Sequence, residues 1–225
     1  IIKSIEPTLK ITGIEVMDAH NDLVSIGWMD IGVQIGEPGL EHQEDLQSVT
    51  KAASAGGFTA IASFPNTDPT VHTRSEVNYL KSFSNRSIVD IKPLGAISKN
   101  GHGKDLTEFY DMKAAGAVGF SDGKYSLQHT GLLIRALQYA KGANSLILNH
   151  PNDLSIAHGG QMNEGSVSTA LGLPGIPTMA EELMLQRDLE VLAYTGGQLH
   201  AHNISTRRSV NLIRTAKQKG LNVTA

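Results

Sequence analysis

From residue 41 to residue 220 the chain repeats one unit: a short apolar run, a polar turn, and a helix-patterned segment stopped by glycine. Residues 41–55 read as a helix ended by Gly56-Gly57, and residues 58–64 as an apolar strand. Thr73-x-x-Glu76 is a capping box that opens a helix over residues 77–83, and residues 88–97 are strand-like. Asp105-x-x-Glu108 opens a helix that ends at Gly116, before a strand at 117–120. Residues 131–141 form a helix closed by Gly142, followed by a strand at 145–148. Pro177-Thr178-x-x-Glu181 opens a long helix that ends at Gly196-Gly197, before a strand at 198–204. Residues 206–219 are a helix closed by Gly220, and 221–225 start one more strand. Glycine after a helix is the left-handed stop. Runs apolar on both faces are what buried parallel strands require. The pattern predicts a parallel α/β fold. With a strand inside residues 26–39, it holds seven strand candidates, where a closed (β/α)8 barrel needs eight.

Composition narrows the function. A net charge of −3 gives no electrostatic reason to seek nucleic acid or acidic membrane. The absence of cysteine removes disulfides and thiolate zinc sites, leaving His, Asp, Glu or a modified lysine for any metal. No apolar run approaches the ~18 residues of a membrane span. With no export signal at the N-terminus, the default expectation is the cytoplasm. Both ends open mid-pattern, so the sequence is expected to be part of a longer protein.

Residues 26–39 run as a strand into a Glu37-Pro38-Gly39 turn. The two-residue period sends Ile31, Val33 and Ile35 to one side and Asp30, Gly32, Gln34 and Gly36 to the other. In a parallel α/β protein the carboxyl ends of the strands face the ligand.

The stretch Gly27-Trp28-Met29-Asp30-Ile31-Gly32-Val33-Gln34-Ile35-Gly36-Glu37-Pro38-Gly39-Leu40-Glu41-His42 resembles the first barrel strand of dihydroorotases and related cyclic amidohydrolases, D-x-H-x-H-x-R-E-P-G-x-E-H. The resemblance implies an amidohydrolase barrel, truncated, spanning residues 26–225 with strands one to seven. Residues 1–25 would then be the remnant of a small β-domain, with β-like pieces at 9–14 and 15–17 and a turn at Asn21-Asp22. It also implies that two metal-ligand histidines are replaced by Gly32 and Gln34, and the substrate-binding arginine by Gly36.

Other strand ends extend the likeness. Pro65-Asn66-Thr67 is similar to the family's P-N-T, which makes Asn66 a substrate-binding candidate. Phe120-Ser121-Asp122-Gly123 resembles F-S-D-D-G with one aspartate fewer, so Asp122 is a candidate metal ligand beside the alternative of a turn aspartate. In Asn149-His150-Pro151-Asn152-Asp153, His150 falls on the ligand histidine of D-H-C-E-D. Met162-Asn163-Glu164-Gly165 and residues 171–177 match as loop and helix-start structure. Leu199-His200-Ala201-His202-Asn203-Ile204-Ser205-Thr206 resembles L-H-I-A-H-V-S-T. Ungapped, the metal ligand falls on Asn203; with a one-residue bulge it falls on His202. The family's aspartate base would lie beyond Ala225. His42, His72, His102, His129 and His158 read as helix-start, surface or loop residues.

A two-zinc amidohydrolase needs about four to six nitrogen and oxygen ligands to make hydroxide near neutral pH. Glycine offers none, and an amide is a weak zinc ligand. The resemblance therefore implies a dihydroorotase-type barrel of pyrimidine synthesis, interconverting carbamoyl-aspartate and dihydroorotate when active, with its zinc centre degenerate. A pseudoenzyme follows, with zinc absent or partial. The alternative is a non-catalytic barrel kept for assembly, either as a homodimer or as a scaffold for another pyrimidine enzyme such as aspartate transcarbamoylase. A hydantoinase-like or allantoinase-like amidohydrolase is the weaker alternative, since P-G-L-E-H, P-N-T, F-S-D-G and M-N-E-G together lean toward dihydroorotase.

Overall fold

The computed structural model describes residues 4–6, 12–13, 15–18, 20 and 22–225. The elements in chain order are β1 (Trp28–Val33), α1 (Leu46–Ala55), β2 (Phe58–Ser63), α2 (Arg74–Ser84) and β3 (Asp90–Gly95). After a single 3-10 turn come α3 (Phe109–Ala114), β4 (Gly119–Phe120), α4 (Thr130–Gly142) and β5 (Leu146–Asn149). An excursion follows, with α5 (Leu154–Ala157), β6 (Met162–Asn163), α6 (Ser166–Leu171) and β7 (Gly175–Ile176). The chain continues through α7 (Met179–Thr195), β8 (Leu199–Ala201), α8 (Arg207–Gln218) and β9 (Val223–Thr224).

Seven strands pair in parallel in the order β1-β2-β3-β4-β5-β8-β9. This is part of a barrel: a curled sheet with β1 and β9 at its two edges. Neighbouring residues on each central strand bury opposite faces. Ile61, Ile91, Ile147 and Leu199 join the large cluster between sheet and helices, while Ala62, Phe64, Leu94 and Leu148 form a smaller interior cluster. Both faces are apolar, as the sequence pattern requires. The edge strand departs from this rule. Trp28 and Ile31 are exposed, because β1 has a strand neighbour on one side only.

Helix ends follow local chemistry. The capping box of α2 is present: Thr73 Oγ1 accepts from Ser75 N at 3.2 Å, and Glu76 Oε2 accepts from Thr73 N at 2.8 Å. The long helix α7 stops at left-handed Gly196. Several helix starts differ from the sequence reading, among them α2, which begins at Arg74, directly after its cap. The first helix begins at Leu46, where Asp45 and Ser48 cap each other, and residues 41–43 form a turn instead. The third begins at Phe109 and not at Asp105, because Asp105 O accepts from Lys99 N and Thr107 N donates to Ile97 O. Backbone committed to that pairing cannot also enter a helix. In α4, His129 is the N-cap, its Nδ1 accepting from Leu132 N at 3.2 Å.

The predicted strands at 88–97 and 198–204 shorten to β3 and β8. The β-like piece expected at 15–17 has no strand partner, and Val16 and Met17 are exposed. Most of 9–14, and Asn21 of the expected turn, lie outside the described residues. Within the described residues no helix is long and apolar enough to cross a membrane.

A clamp ties the turn after β1 to two helices. Glu37 accepts the hydroxyl proton of Tyr79 from α2, and its second oxygen accepts from Leu46 N of α1 at 2.9 Å. The Glu37 carboxylate pushes the Tyr79 phenol from 10.0 up to about 12. For an acid whose folded pKa is raised, the stabilising contribution is present below the ordinary value and lost as pH rises toward the raised one. Spectrophotometric titration should show one tyrosine ionising near 12, and Glu37→Gln should return it toward 10.0. Thr73→Ala should cost about 1 kcal/mol in denaturant unfolding by removing the α2 cap.

Candidate functional site

The carboxyl ends of β1, β2, β4, β5 and β8 converge on a cavity of about 460 Å³. Its wall includes Asp30, Gly32, Gln34, Phe64, Lys124, His150 and His202. A larger cleft of about 790 Å³ adjoins it, and His150 and Asn203 line both.

The first strand does not keep its period through this region. Ile31 pairs with Ala62 and Val33 with Ser63, so Gly32 is an extra residue in the ladder, with φ +97°. A bulge resets which residues face inward. Ile31, expected on the far side, lines the cavity together with Asp30 and Gln34. Gly36, expected on the pocket side, is buried and absent from the lining. Its carbonyl accepts from Leu40 N at 2.8 Å, and a Cβ there would run into the carbonyl oxygens of Leu40 and Glu44. The turn has closed over the position where the family resemblance puts an arginine.

His150 and His202 share the cavity, His150 Nδ1 lying 3.4 Å from His202 O. After β8, His202 N donates to Asn149 O at 2.9 Å, and Asn203 follows with φ +58°. Asn203 reaches the cavity as well, so both alternatives for the ligand position sit on its wall. Burial lowers the pKa of His200 and of His202, and for His202 the nearby His200 and His150 add to the effect while Asp30 opposes it. His200 bonds Thr224 Oγ1 at 2.8 Å and is not part of the lining.

Asp122 and Asn66 are bonded to the loops around them. Asp122 is buried, with Oδ1 accepting from Ser98 N at 2.9 Å and Oδ2 from Ser98 Oγ at 2.6 Å. Burial pushes its carboxyl up, against the pull of those hydrogen bonds. Asn66 Nδ2 donates to Asp122 O at 3.0 Å and Oδ1 accepts from Lys124 N at 3.0 Å. Neither side chain lines the cavity.

Three features were not anticipated from the sequence. Lys124 brings a cation to the wall, its only local signal being its place after the Asp122-Gly123 turn. Behind His150, Asn149 accepts from Leu127 N at 3.1 Å and donates to buried Asp188 at 2.7 Å. Arg187 grips Asp188 Oδ1 with two nitrogens at 2.9 and 2.6 Å. The Asn149–Asp188 pairing spans 39 residues and leaves no local trace. Glu181, read as part of a helix start, accepts from Ser205 N, Ser205 Oγ and Thr206 N at the head of α8.

Zinc, the metal the resemblance implies, does not fit this residue set. Position 32 has no side chain, position 34 offers an amide, and the Asp122 carboxylate is held by Ser98. Among the described residues no three His, Asp or Glu side chains gather in metal-binding geometry. Two imidazoles and a nearby aspartate fall short of a two-metal centre.

Residues 22–209 match the family model described as Dihydro-orotase-like. A dihydroorotase of Pelotomaculum thermopropionicum is 43% identical over 95% of this chain and 50% of its own length. The chain spans about half the length of the curated relatives it matches. Two solved structures share the fold. The L-hydantoinase (dihydropyrimidinase) of Arthrobacter aurescens has a TM-score of 0.70 at 24% identity, over 88% of this chain and 46% of that one. Dihydroorotase of Saccharomyces cerevisiae, solved with 5-fluoroorotic acid, has a TM-score of 0.63 at 14% identity, over 89% and 55%. With its first-strand frame, its parallel curled sheet and a family match over most of its length, the chain belongs to the dihydroorotase-like family.

Proposed function

We propose that this chain is the barrel portion of a dihydroorotase-type protein of pyrimidine synthesis that has kept the scaffold and given up two-metal hydrolysis. The observation that carries this reading is the fate of the family's ligand positions. One is vacant at Gly32, one is an amide at Gln34, and the carboxylate nearest the fourth strand end is bonded to Ser98. On this reading the protein works in the cytoplasm as a homodimeric support for another pyrimidine enzyme, aspartate transcarbamoylase foremost. Residues 1–25 then belong to a small β-domain beside the barrel.

The placement of His150 and His202 in one cavity favours a second reading, a hydrolase with a reduced site built on those imidazoles. Elemental analysis of the purified full-length protein after zinc-supplemented growth separates the two. Zinc well below one per chain, with no turnover of carbamoyl-aspartate or dihydroorotate, is expected; one or two zinc per chain with turnover would overturn the proposal.

Putting histidine at Gly32 and Gln34 and arginine at Gly36 should leave the protein without hydrolytic turnover and less stable. Gly36→Arg alone should lower stability by more than about 2 kcal/mol, since the obstruction is backbone and cannot rotate away. Chemical denaturation of the single and triple variants checks both expectations.

A further inference from the structure

Gly32 packs closely against His202 and Phe64 in the cavity. A Cβ at position 32 would stand 2.7 Å from both His202 Cε1 and Phe64 Cζ, and 2.9 Å from His202 Nε2. Real Cβ atoms do not approach neighbours that closely. The same imidazole meets the Phe64 ring edge to face, with centroids 5.1 Å apart at 89°. On the far side its backbone is fixed by the bond to Asn149 O, and the chain turns away at left-handed Asn203. The ring therefore fills the space into which a side chain from the β1 bulge would project.

We propose that His202 is a plug: its imidazole occupies the volume vacated at position 32 and fills the space between β1 and Phe64. Residues 32 and 202 then form one packing unit with Phe64, and a side chain enters at 32 only if the ring at 202 moves and Phe64 gives by a few tenths of an ångström. This deepens the reading of a lost metal centre, because the vacancy is refilled by protein and is not an open socket awaiting a ligand. The packing can be tested whether or not the protein binds zinc.

The test is a double-mutant cycle in the full-length protein, with Gly32→Ala, His202→Gly and the pair, followed by denaturant unfolding. Strain from φ +97° at position 32 is common to both backgrounds and cancels. Gly32→Ala should lower the folding constant about tenfold more when His202 is present than when it is glycine. Free imidazole should raise the melting temperature of His202→Gly saturably, leave the wild type unchanged, and act weakly on the pair. Additive effects, or equal action of imidazole on wild type and His202→Gly, would overturn the plug. Should His202→Gly fail to fold, a crystal structure of Gly32→Ala decides: the ring at 202 displaced supports the proposal, and the ring unmoved refutes it. Zinc content of the wild type reports separately on the loss of the metal centre.

Discussion

The parallel ladder from β2 to β5 and on to β8 is the constraint on which everything else rests. Its strands carry apolar residues into a core on the helix side and, in β2, β3 and β5, into a smaller interior cluster, and each must be followed by a helix that returns the chain to the same end. That geometry delivers the carboxyl ends of strands far apart in sequence to a single rim. His150 and His202, 52 residues apart, meet there through no property of their own segments. They meet because β5 and β8 are neighbours in the sheet.

At the rim, polar groups that could have faced a ligand are turned to holding the loops. Asn66 binds both sides of the Asp122–Lys124 turn, Asp122 caps the backbone at Ser98, and Glu181 anchors the start of α8. Each of these buried or half-buried groups would be costly to leave without a partner. The same economy applies to space. Position 36, where the resemblance puts an arginine, is roofed by the turn at Leu40, and a Cβ at position 32, where it puts a histidine, would meet the rings of His202 and Phe64. The cavity that remains is lined by the charges of Asp30 and Lys124, the amides of Gln34 and Asn203, and the imidazoles of His150 and His202, beside apolar Ile31 and Phe64.

What could be read in advance was whatever depends on neighbours in the chain. The α2 capping box and the glycine after α7 are such features, and the strands apolar on both faces announced a parallel sheet. What could not be read depends on neighbours in space. The helix expected at Asp105 gave way because residues 105–107 pair with 97–99. Asp30, Gly32 and Gln34 line the cavity as expected, but Ile31 joins them and Gly36 does not, because a bulge at Gly32 breaks the period and a lone glycine in a strand does not say on which residue the register will slip.

The sequence by itself determined the class of fold, the order of the barrel strands and their main helices, and the family frame around Glu37-Pro38-Gly39, since periodicity, capping and turn residues act over a few positions. The excursion α5-β6-α6-β7, read as loop and helix-start structure, was not among them. Only the tertiary structure decided which polar residues face the cavity, because burial and hydrogen-bond partners at each strand end come from other strands. Asp122 could have faced a ligand or held its turn. Ser98, 24 residues earlier, was the partner that settled where its carboxylate points.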